Sequence, residues 1–212
     1  ISWKVYQQSN NFDDNALAWF APFKKAKAGQ PLYDRGIAVT SDLVKSFAQD
    51  VANDTLPQVS WIVAPDYLSE HATYKPAYGE DLSARLLAAL AANPTVYAKT
   101  VFILNYDENG GFYDHVPPPT PPSSSANGLS TVSVTGEIQD GKPIGLGFRV
   151  PMTIISPWTR GGWVCSEVFD HTSVLRFLEA RFDVKEPNIS AWRRAVCGDL
   201  TSAFDFSGAD TR

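Results

Sequence analysis

One stretch near the middle of the chain constrains the fold more than any other. It begins with four consecutive apolar residues, 101–104, whose β-branched and aromatic side chains predict a buried strand of a parallel sheet. Two neighbouring carboxylates, Asp107 and Glu108, come shortly after that strand. In open α/β sheets, ligands bind just beyond the carboxyl ends of the strands. The stretch therefore predicts an α/β fold with a functional site at this strand end.

The residues after the acidic pair favour the same interpretation. Gly110 and Gly111 can take backbone conformations that are closed to other residues, and Asp114 and His115 then add a carboxylate and an imidazole. Adjacent carboxylates repel each other, and a divalent cation between them offsets that repulsion. The alternative is a solvent-exposed acidic turn, which is common on protein surfaces.

Length and composition limit the class of protein. The 212 residues, of which 44% are hydrophobic and 19% charged, suffice for one large or two small folded domains and exclude a disordered chain. The formal net charge of −5 argues against general affinity for nucleic acid or for an anionic membrane. Because the first residues lack a signal peptide and alternate like a strand already under way, we expect a piece of a longer chain or a trimmed form.

Hydrophobic periodicity predicts alternating strands and helices. The predicted strands cover residues 1–6, 59–64, 100–106, 148–156 and 163–169, and the predicted helices cover residues 42–53, 80–92 and 171–181. This succession implies a parallel sheet with helices on its faces. Residues 116–146, which are rich in proline and serine, predict a loop or lid insertion.

Two of the three histidines occur in loops that follow predicted strands. These are His71 and His115, and adjacent parallel strands would bring His71 and Asp107 to the same edge of the sheet. A histidine beside a metal ion and a phosphate donates a hydrogen bond to an anionic oxygen or protonates a leaving group. The alternative is an ordinary surface or core hydrogen bond. For His171, which follows Asp170, a role at a helix start with a core contact is favoured.

The stretch from Asn105 to Pro119 resembles the signature of a bacterial phosphoesterase family. That family includes the phosphocholine-preferring phospholipases C and a secreted acid phosphatase. Segments 2–6, 69–71, 147–151 and 169–178 match it as well, so the resemblance covers most of the chain. It implies a three-layer α/β/α sandwich similar to that of alkaline phosphatase, a hydroxyl nucleophile and one divalent metal ion.

The resemblance also implies roles for individual residues. Asp107 and Glu108 match the metal ligands, and His71 matches a phosphate-contacting residue. His115 is expected to act in catalysis or to support the ligands. The expected substrate-binding residues are Glu70, His71, Tyr74, Phe112 and Tyr113, and Tyr6 and Tyr67 are further candidates for an aromatic cage around choline. Core packing is the alternative for these aromatic side chains.

The implied activity is that of a phospholipase C, which cleaves phosphatidylcholine to diacylglycerol and phosphocholine. A phosphomonoesterase of the same fold and a non-catalytic phosphocholine-binding half-domain are the alternatives. The family's Glu-Asn metal motif and its nucleophile have no counterpart among these residues. We therefore expect the C-terminal half of a catalytic domain, completed by a second polypeptide, with transient membrane-surface contact and no nucleic-acid partner.

Family members are mostly exported proteins. The resemblance therefore implies a secreted or periplasmic location for this chain. In such an oxidising compartment we expect a disulfide bond between Cys165 and Cys197. Two buried free thiols are the alternative.

Overall fold

Short strands and amphipathic helices alternate along the chain in a computed structural model, which describes residues 1–209. Within these residues the strands form three two-stranded sheets, so the predicted single parallel sheet is not formed. The α/β class is confirmed, whereas the three-layer sandwich is not seen. Contacts divide the chain into two units, residues 1–100 and residues 101–212.

The first unit contains a parallel pair of strands. β1 (Trp3–Gln7) and β2 (Val59–Val63) lie side by side, with Val5 opposite Trp61. The helices are α1 (Ala21–Lys24), α2 (Pro31–Gly36), α3 (Leu43–Ala52), α4 (Pro76–Ala91) and α5 (Pro94–Tyr97), and 3-10 helices span Ala16–Trp19 and Asp66–Leu68. The predicted strands and helices of this unit are confirmed, although α4 begins earlier than expected.

The core of the first unit follows from the four-residue spacing of apolar side chains on α3. Leu43, Phe47 and Val51 lie on one helical face and are all buried, and the Asp42 side chain caps the helix by accepting from the Lys45 amide at 2.9 Å. Tyr6 packs edge-on against Phe47. This packing favours the core alternative for Tyr6.

Tyr6 is therefore not available for an aromatic cage. It is 1% exposed, and its hydroxyl donates to the Asp50 carboxylate at 2.6 Å. Burial, and then the hydrogen bond to Asp50, raise the pKa of Tyr6 well above its ordinary value. The predicted contact of Tyr6 with choline is wrong.

The second unit contains antiparallel pairs. β3 (Phe102–Asn105) pairs with β6 (Met152–Ile155), and β4 (Ile138–Gln139) pairs with β5 (Lys142–Pro143). The predicted parallel pairing of β3 is therefore wrong, although Asp107 and Glu108 do follow the carboxyl end of β3. The helices are α6 (His171–Phe182) and α7 (Ala191–Val196), with 3-10 helices at Ser125–Asn127 and Thr201–Ala203.

One predicted strand of the second unit is absent from the structure. Residues 163–169 are not in a strand, and Trp163 and Val164 are among the most exposed apolar side chains of this unit. A strand needs a partner for its backbone groups, and alternation alone does not supply one. None of the helices within residues 1–209 combines the length and the apolar character needed to cross a bilayer.

Cys165 and Cys197 are free thiols, so the predicted disulfide bond is wrong. Cys165 is exposed and its Sγ lies 3.9 Å from the Ser202 hydroxyl, whereas Cys197 is buried directly after α7. Burial, with the negative charge of Asp170 as a second cause, raises the pKa of the Cys197 thiol to about 12. Because the thiolate is the reactive form, Cys197 is chemically inert in the folded protein.

A thiol reagent therefore separates the two cysteines. In the native protein at neutral pH we expect one fast-reacting thiol, Cys165, and after denaturation without reductant we expect two. Cys165→Ser should abolish the native reaction and leave one thiol in the denatured chain. A disulfide-bonded protein would show no reactive thiol in either state.

An ion pair connects α6 to α7. The Arg194 guanidinium donates to both carboxylate oxygens of Glu179, at 2.7 and 2.8 Å, and the Glu186 amide donates to the same carboxylate at 2.6 Å. These hydrogen bonds, that from Arg194 first, lower the pKa of Glu179 to about 2. Glu179 is therefore ionised in the folded protein at all pH values above that.

This depressed pKa predicts a pH-dependent contribution to stability. The unfolded-state pKa of a glutamate is about 4.3, so the contribution of Glu179 is complete above that pH and is lost as the pH falls toward about 2. Thermal unfolding of Glu179→Gln should show a deficit at neutral pH that shrinks in acid. Glu80→Gln, an exposed control on α4, should show no such trend. A pH-independent deficit in Glu179→Gln would contradict the assignment.

Candidate functional site

His71 lies in the loop that follows β2, and its imidazole ring is held from two directions. The Phe12 ring stacks on it, with 4.9 Å between ring centroids and 28° between the planes. The Thr73 hydroxyl lies 2.9 Å from Nδ1, and the Thr73 amide donates to the same nitrogen at 3.4 Å. The residue is exposed, so the imidazole is both positioned and accessible.

The loop that carries Phe12 was not identified from the sequence. Asn10, Phe12 and Asp13 all have positive φ angles, between 56° and 60°, which is uncommon for residues other than glycine. The Asp66 amide donates to the Asn10 carbonyl at 2.7 Å and ties this loop to the loop after β2. The sequence shows only asparagines and aspartates around Phe12, which tolerate the left-handed region and predict an irregular turn.

Tyr74 and Glu70, two of the predicted substrate-binding residues, make different contacts in the loop that carries His71. Tyr74 packs edge-on against Phe12, with ring centroids 6.4 Å apart, and its hydroxyl donates to Asp66 at 3.2 Å. Desolvation, followed by this hydrogen bond, raises the pKa of Tyr74. Glu70 is half-buried and packs against Gly79 on the first turns of α4, where a Cβ would collide with it. Tyr74 thus lies next to the His71–Phe12 stack, and Glu70 packs against α4.

The acidic pair after β3 lies in an exposed turn. Asp107 and Glu108 are both exposed, and the Asp107 carboxylate accepts from the Glu108 amide at 2.9 Å. Gly110 and Gly111 follow with φ angles of +58° and +80°, as the sequence predicted. In the part of the chain that the structure describes, no group of three His, Cys, Asp or Glu side chains could hold a metal ion. The turn therefore supplies two carboxylates and not a complete metal site.

Asp114 is paired with an arginine. It accepts from Arg149 Nε at 2.6 Å and from the Val116 amide at 2.7 Å, and these bonds, that from Arg149 first, lower the pKa of Asp114. Arg149 belongs to a segment that carries the family resemblance, but the sequence analysis predicts no role for it. His115, beside this pair, is exposed. The pair joins the turn after β3 to the residues that precede β6.

A pair of aromatic rings lies beside this ion pair. Tyr113 and Phe148 have ring centroids 5.7 Å apart, and they directly precede Asp114 and Arg149 in the chain. Tyr113 is 77% exposed and Phe112 is 82% exposed, so the core alternative does not apply to either. Phe148 is a further aromatic residue that the sequence analysis did not select. Exposed rings beside charged groups suit the recognition of an organic cation.

His171 supports the backbone just before the acidic pair. Its Nε2 lies 3.0 Å from the Tyr106 carbonyl, and because a carbonyl only accepts, this nitrogen carries a proton. Asp170 caps α6 and forms a capping box with Ser173. The predicted helix start is confirmed, whereas the predicted core contact is wrong because His171 is exposed.

A partly buried arginine, Arg193, holds the start of α6 in place. Arg193 on α7 donates to Asp170 at 2.6 Å, to Glu137 at 2.8 Å and to the Gly145 carbonyl at 3.1 Å. The Glu137 and Asp170 side chains are 3% and 5% exposed. Through Asp170, this cluster fixes the first turn of α6, from which His171 reaches the backbone next to Asp107.

Removing Arg193 should leave two buried carboxylates without a cation. Breaking a buried ion pair on one side costs about 3–5 kcal/mol, so Arg193→Ala should lower the free energy of unfolding by about that amount. Arg85→Ala, which removes an exposed pair with Asp81 at 3.6 Å, should cost less than about 0.5 kcal/mol. Denaturant unfolding of both variants measures the difference, and equal losses would show that the cluster is not important for stability.

Comparison with known proteins places these features in a family. The chain is 58% identical to the haemolytic phospholipase C of Pseudomonas aeruginosa over 210 residues, which are 98% of this chain and 28% of that protein. It is 48% identical to the non-haemolytic phospholipase C of Burkholderia pseudomallei, over 99% of this chain and 35% of that protein. It is 44% identical to phospholipase C B of Mycobacterium tuberculosis, over 98% of this chain and 41% of that protein.

The chain thus spans 28–41% of the length of these relatives. The matches give no support to the second polypeptide that the sequence analysis predicted. The model of the phosphoesterase family matches residues 1–185. Since that match and the similarity to the relatives cover most of the chain, the protein belongs to the phosphoesterase family.

Proposed function

We propose that this chain is part of a phospholipase C and takes part in hydrolysis of a phospholipid phosphodiester. The observation that carries the proposal is the identity of 44–58% to proteins named phospholipase C over almost all of the chain. At such identity, side chains that the structure presents to solvent at loop ends are the natural candidates for substrate contact. The expected α/β/α sandwich and an exported location belong to the same proposal.

His71 is proposed to bind a phosphate oxygen. Its ring is exposed, and Thr73 occupies Nδ1, so Nε2 is the nitrogen that meets a ligand. The Phe12 stack keeps the ring in one orientation. A hydrogen bond to an anionic oxygen is worth more than a neutral one, and a fixed donor loses less entropy in making it.

Asp107 and Glu108 are proposed as ligands of a divalent cation. Their carboxylate oxygens suit a hard cation, and their exposure leaves them accessible. When bound, such an ion neutralises phosphate oxygens. Because the described residues bring no third His, Cys, Asp or Glu to them, the pair does not form a metal site by itself.

The preference for a choline ester is proposed from the aromatic pair of the second unit. Tyr113 and Phe148 present adjacent rings, and Tyr113 is largely exposed. Quaternary ammonium groups bind to the faces of such rings through cation–π attraction. A simple phosphate monoester has no cationic group, so the alternative, a phosphomonoesterase, would gain nothing from these rings.

Two chromogenic esters test this proposal. The phospholipase C of which this chain is a part should hydrolyse p-nitrophenyl phosphorylcholine in preference to p-nitrophenyl phosphate. Asp107→Asn should reduce the rate at least about 10- to 100-fold, since even residues behind metal ligands have effects of that size. Asp140→Asn is the matched control, because Asp140 is exposed in the turn between β4 and β5 with a positive φ that asparagine tolerates.

The outcomes separate the candidate functions. Faster hydrolysis of the monoester would favour the phosphomonoesterase. Binding of phosphocholine without hydrolysis of either ester would favour a non-catalytic binding role. An unchanged rate in Asp107→Asn would remove Asp107 from the proposed site.

A further inference from the structure

We propose that Thr73 is a positioning residue that fixes which nitrogen of His71 carries the proton. A backbone amide can only donate a hydrogen bond. The Thr73 amide donates to His71 Nδ1 at 3.4 Å, so Nδ1 must present its lone pair. In the neutral ring the proton then lies on Nε2. This inference rests on the proposed function, in which Nε2 faces the phosphate.

The Thr73 hydroxyl strengthens the same preference. It lies 2.9 Å from Nδ1, closer than the amide. Since Nδ1 already accepts from the amide, the hydroxyl acts as a second donor to it and not as an acceptor. Two donors from one residue therefore converge on the same lone pair. Placing the proton on Nδ1 would oppose it to the Thr73 amide hydrogen and break that hydrogen bond.

Phe12 hinders rotation of the His71 imidazole, which would move Nδ1 away from Thr73. Its ring covers one face of the imidazole at 4.9 Å, so a half-turn of the imidazole about its bond to Cβ must displace Phe12. The Phe12 backbone has a φ of +56° and is held in this costly conformation by its neighbours. The Asp14 amide donates to the Asn11 carbonyl at 2.9 Å, and the Asp66 amide donates to the Asn10 carbonyl at 2.7 Å. Nδ1 therefore stays beside Thr73.

The chemical consequence is a restriction on what His71 can do. A neutral imidazole with its proton on Nε2 offers a donor to the ligand and no lone pair on that side. It can donate a hydrogen bond to a phosphate oxygen. It cannot accept a proton from a nucleophile at Nε2. The structure thus assigns His71 to the donor role and not to that of a general base.

Nitrogen NMR tests this inference without any substrate. The chain has three histidines, so ¹⁵N-histidine labelling gives few signals, and His71→Gln identifies those of His71. At a pH high enough for the ring to be neutral, we expect Nδ1 of His71 to give the shift of an unprotonated nitrogen and Nε2 that of a protonated one. Free histidine in the same buffer is the reference for tautomers that interchange freely.

Substitutions of Thr73 show whether this residue is the cause. Thr73→Val removes the hydroxyl but keeps the amide, so it should move the His71 shifts part of the way toward those of free histidine, while Thr73→Ser should restore the wild-type shifts. Thr95→Val is the matched control, since Thr95 is exposed on α5. Thermal melts confirm folding, which the exposed position of Thr73 should preserve. A protonated Nδ1 in the wild type would overturn the inference, and identical shifts in Thr73→Val would overturn the part assigned to the hydroxyl.

Kinetics with p-nitrophenyl phosphorylcholine give an independent measurement. Loss of one neutral hydrogen bond to Nδ1 should reduce kcat/KM of Thr73→Val about three- to tenfold, with recovery in Thr73→Ser. If the NMR result holds but the phospholipase C that contains this chain hydrolyses neither ester, the proposed function fails and the tautomer assignment remains. If hydrolysis occurs but the shifts show a proton on Nδ1, the tautomer assignment alone fails.

Discussion

The charge of one partly buried arginine, Arg193, organises the second unit. Arg193 is the only cation that the described contacts bring to both Glu137 and Asp170, whose side chains are almost completely buried. Glu137 lies in the long irregular segment before β6, and Asp170 caps α6. A buried carboxylate without a partner is costly, so the two elements must stay where Arg193 can reach them. The ion pair thus replaces the regular hydrogen bonding that residues 116–146 largely lack.

In the first unit, a loop with strained backbone holds a side chain in place. Its parallel strands and the helices around them form an ordinary apolar core. The loop before α1, by contrast, contains three residues with left-handed conformations, one of which is Phe12. Such strain persists only where the surroundings hold it, and it often accompanies a functional constraint. Here the constraint is the orientation of His71, which Phe12 and Thr73 hold by contacts to a face and an edge of the ring.

Family membership and side-chain geometry support the proposed function in different ways. The family match indicates a class of reaction, whereas the geometry indicates which groups are accessible and in what state. Asp114 illustrates the difference: by sequence it is one more acidic residue near the proposed metal ligands, and in the structure it is neutralised by Arg149. The acidic turn therefore contains fewer free carboxylates than its sequence suggests.

The sequence by itself determined the α/β class, the main helices, the strand that leads to Asp107 and Glu108, the glycine turn and the family. The family follows from the resemblance of residues 105–119, and the other features depend on periodicity and on local conformational preferences, which act over a few residues. Only the tertiary structure decided the antiparallel pairing of β3, the burial of Tyr6, the unpaired cysteines and the contacts of Phe12, Arg149 and Arg193. Each of these depends on which distant residue fills the space around a side chain or a strand edge. The local sequence does not predict that distant residue, because packing and ion pairing join residues far apart in the chain.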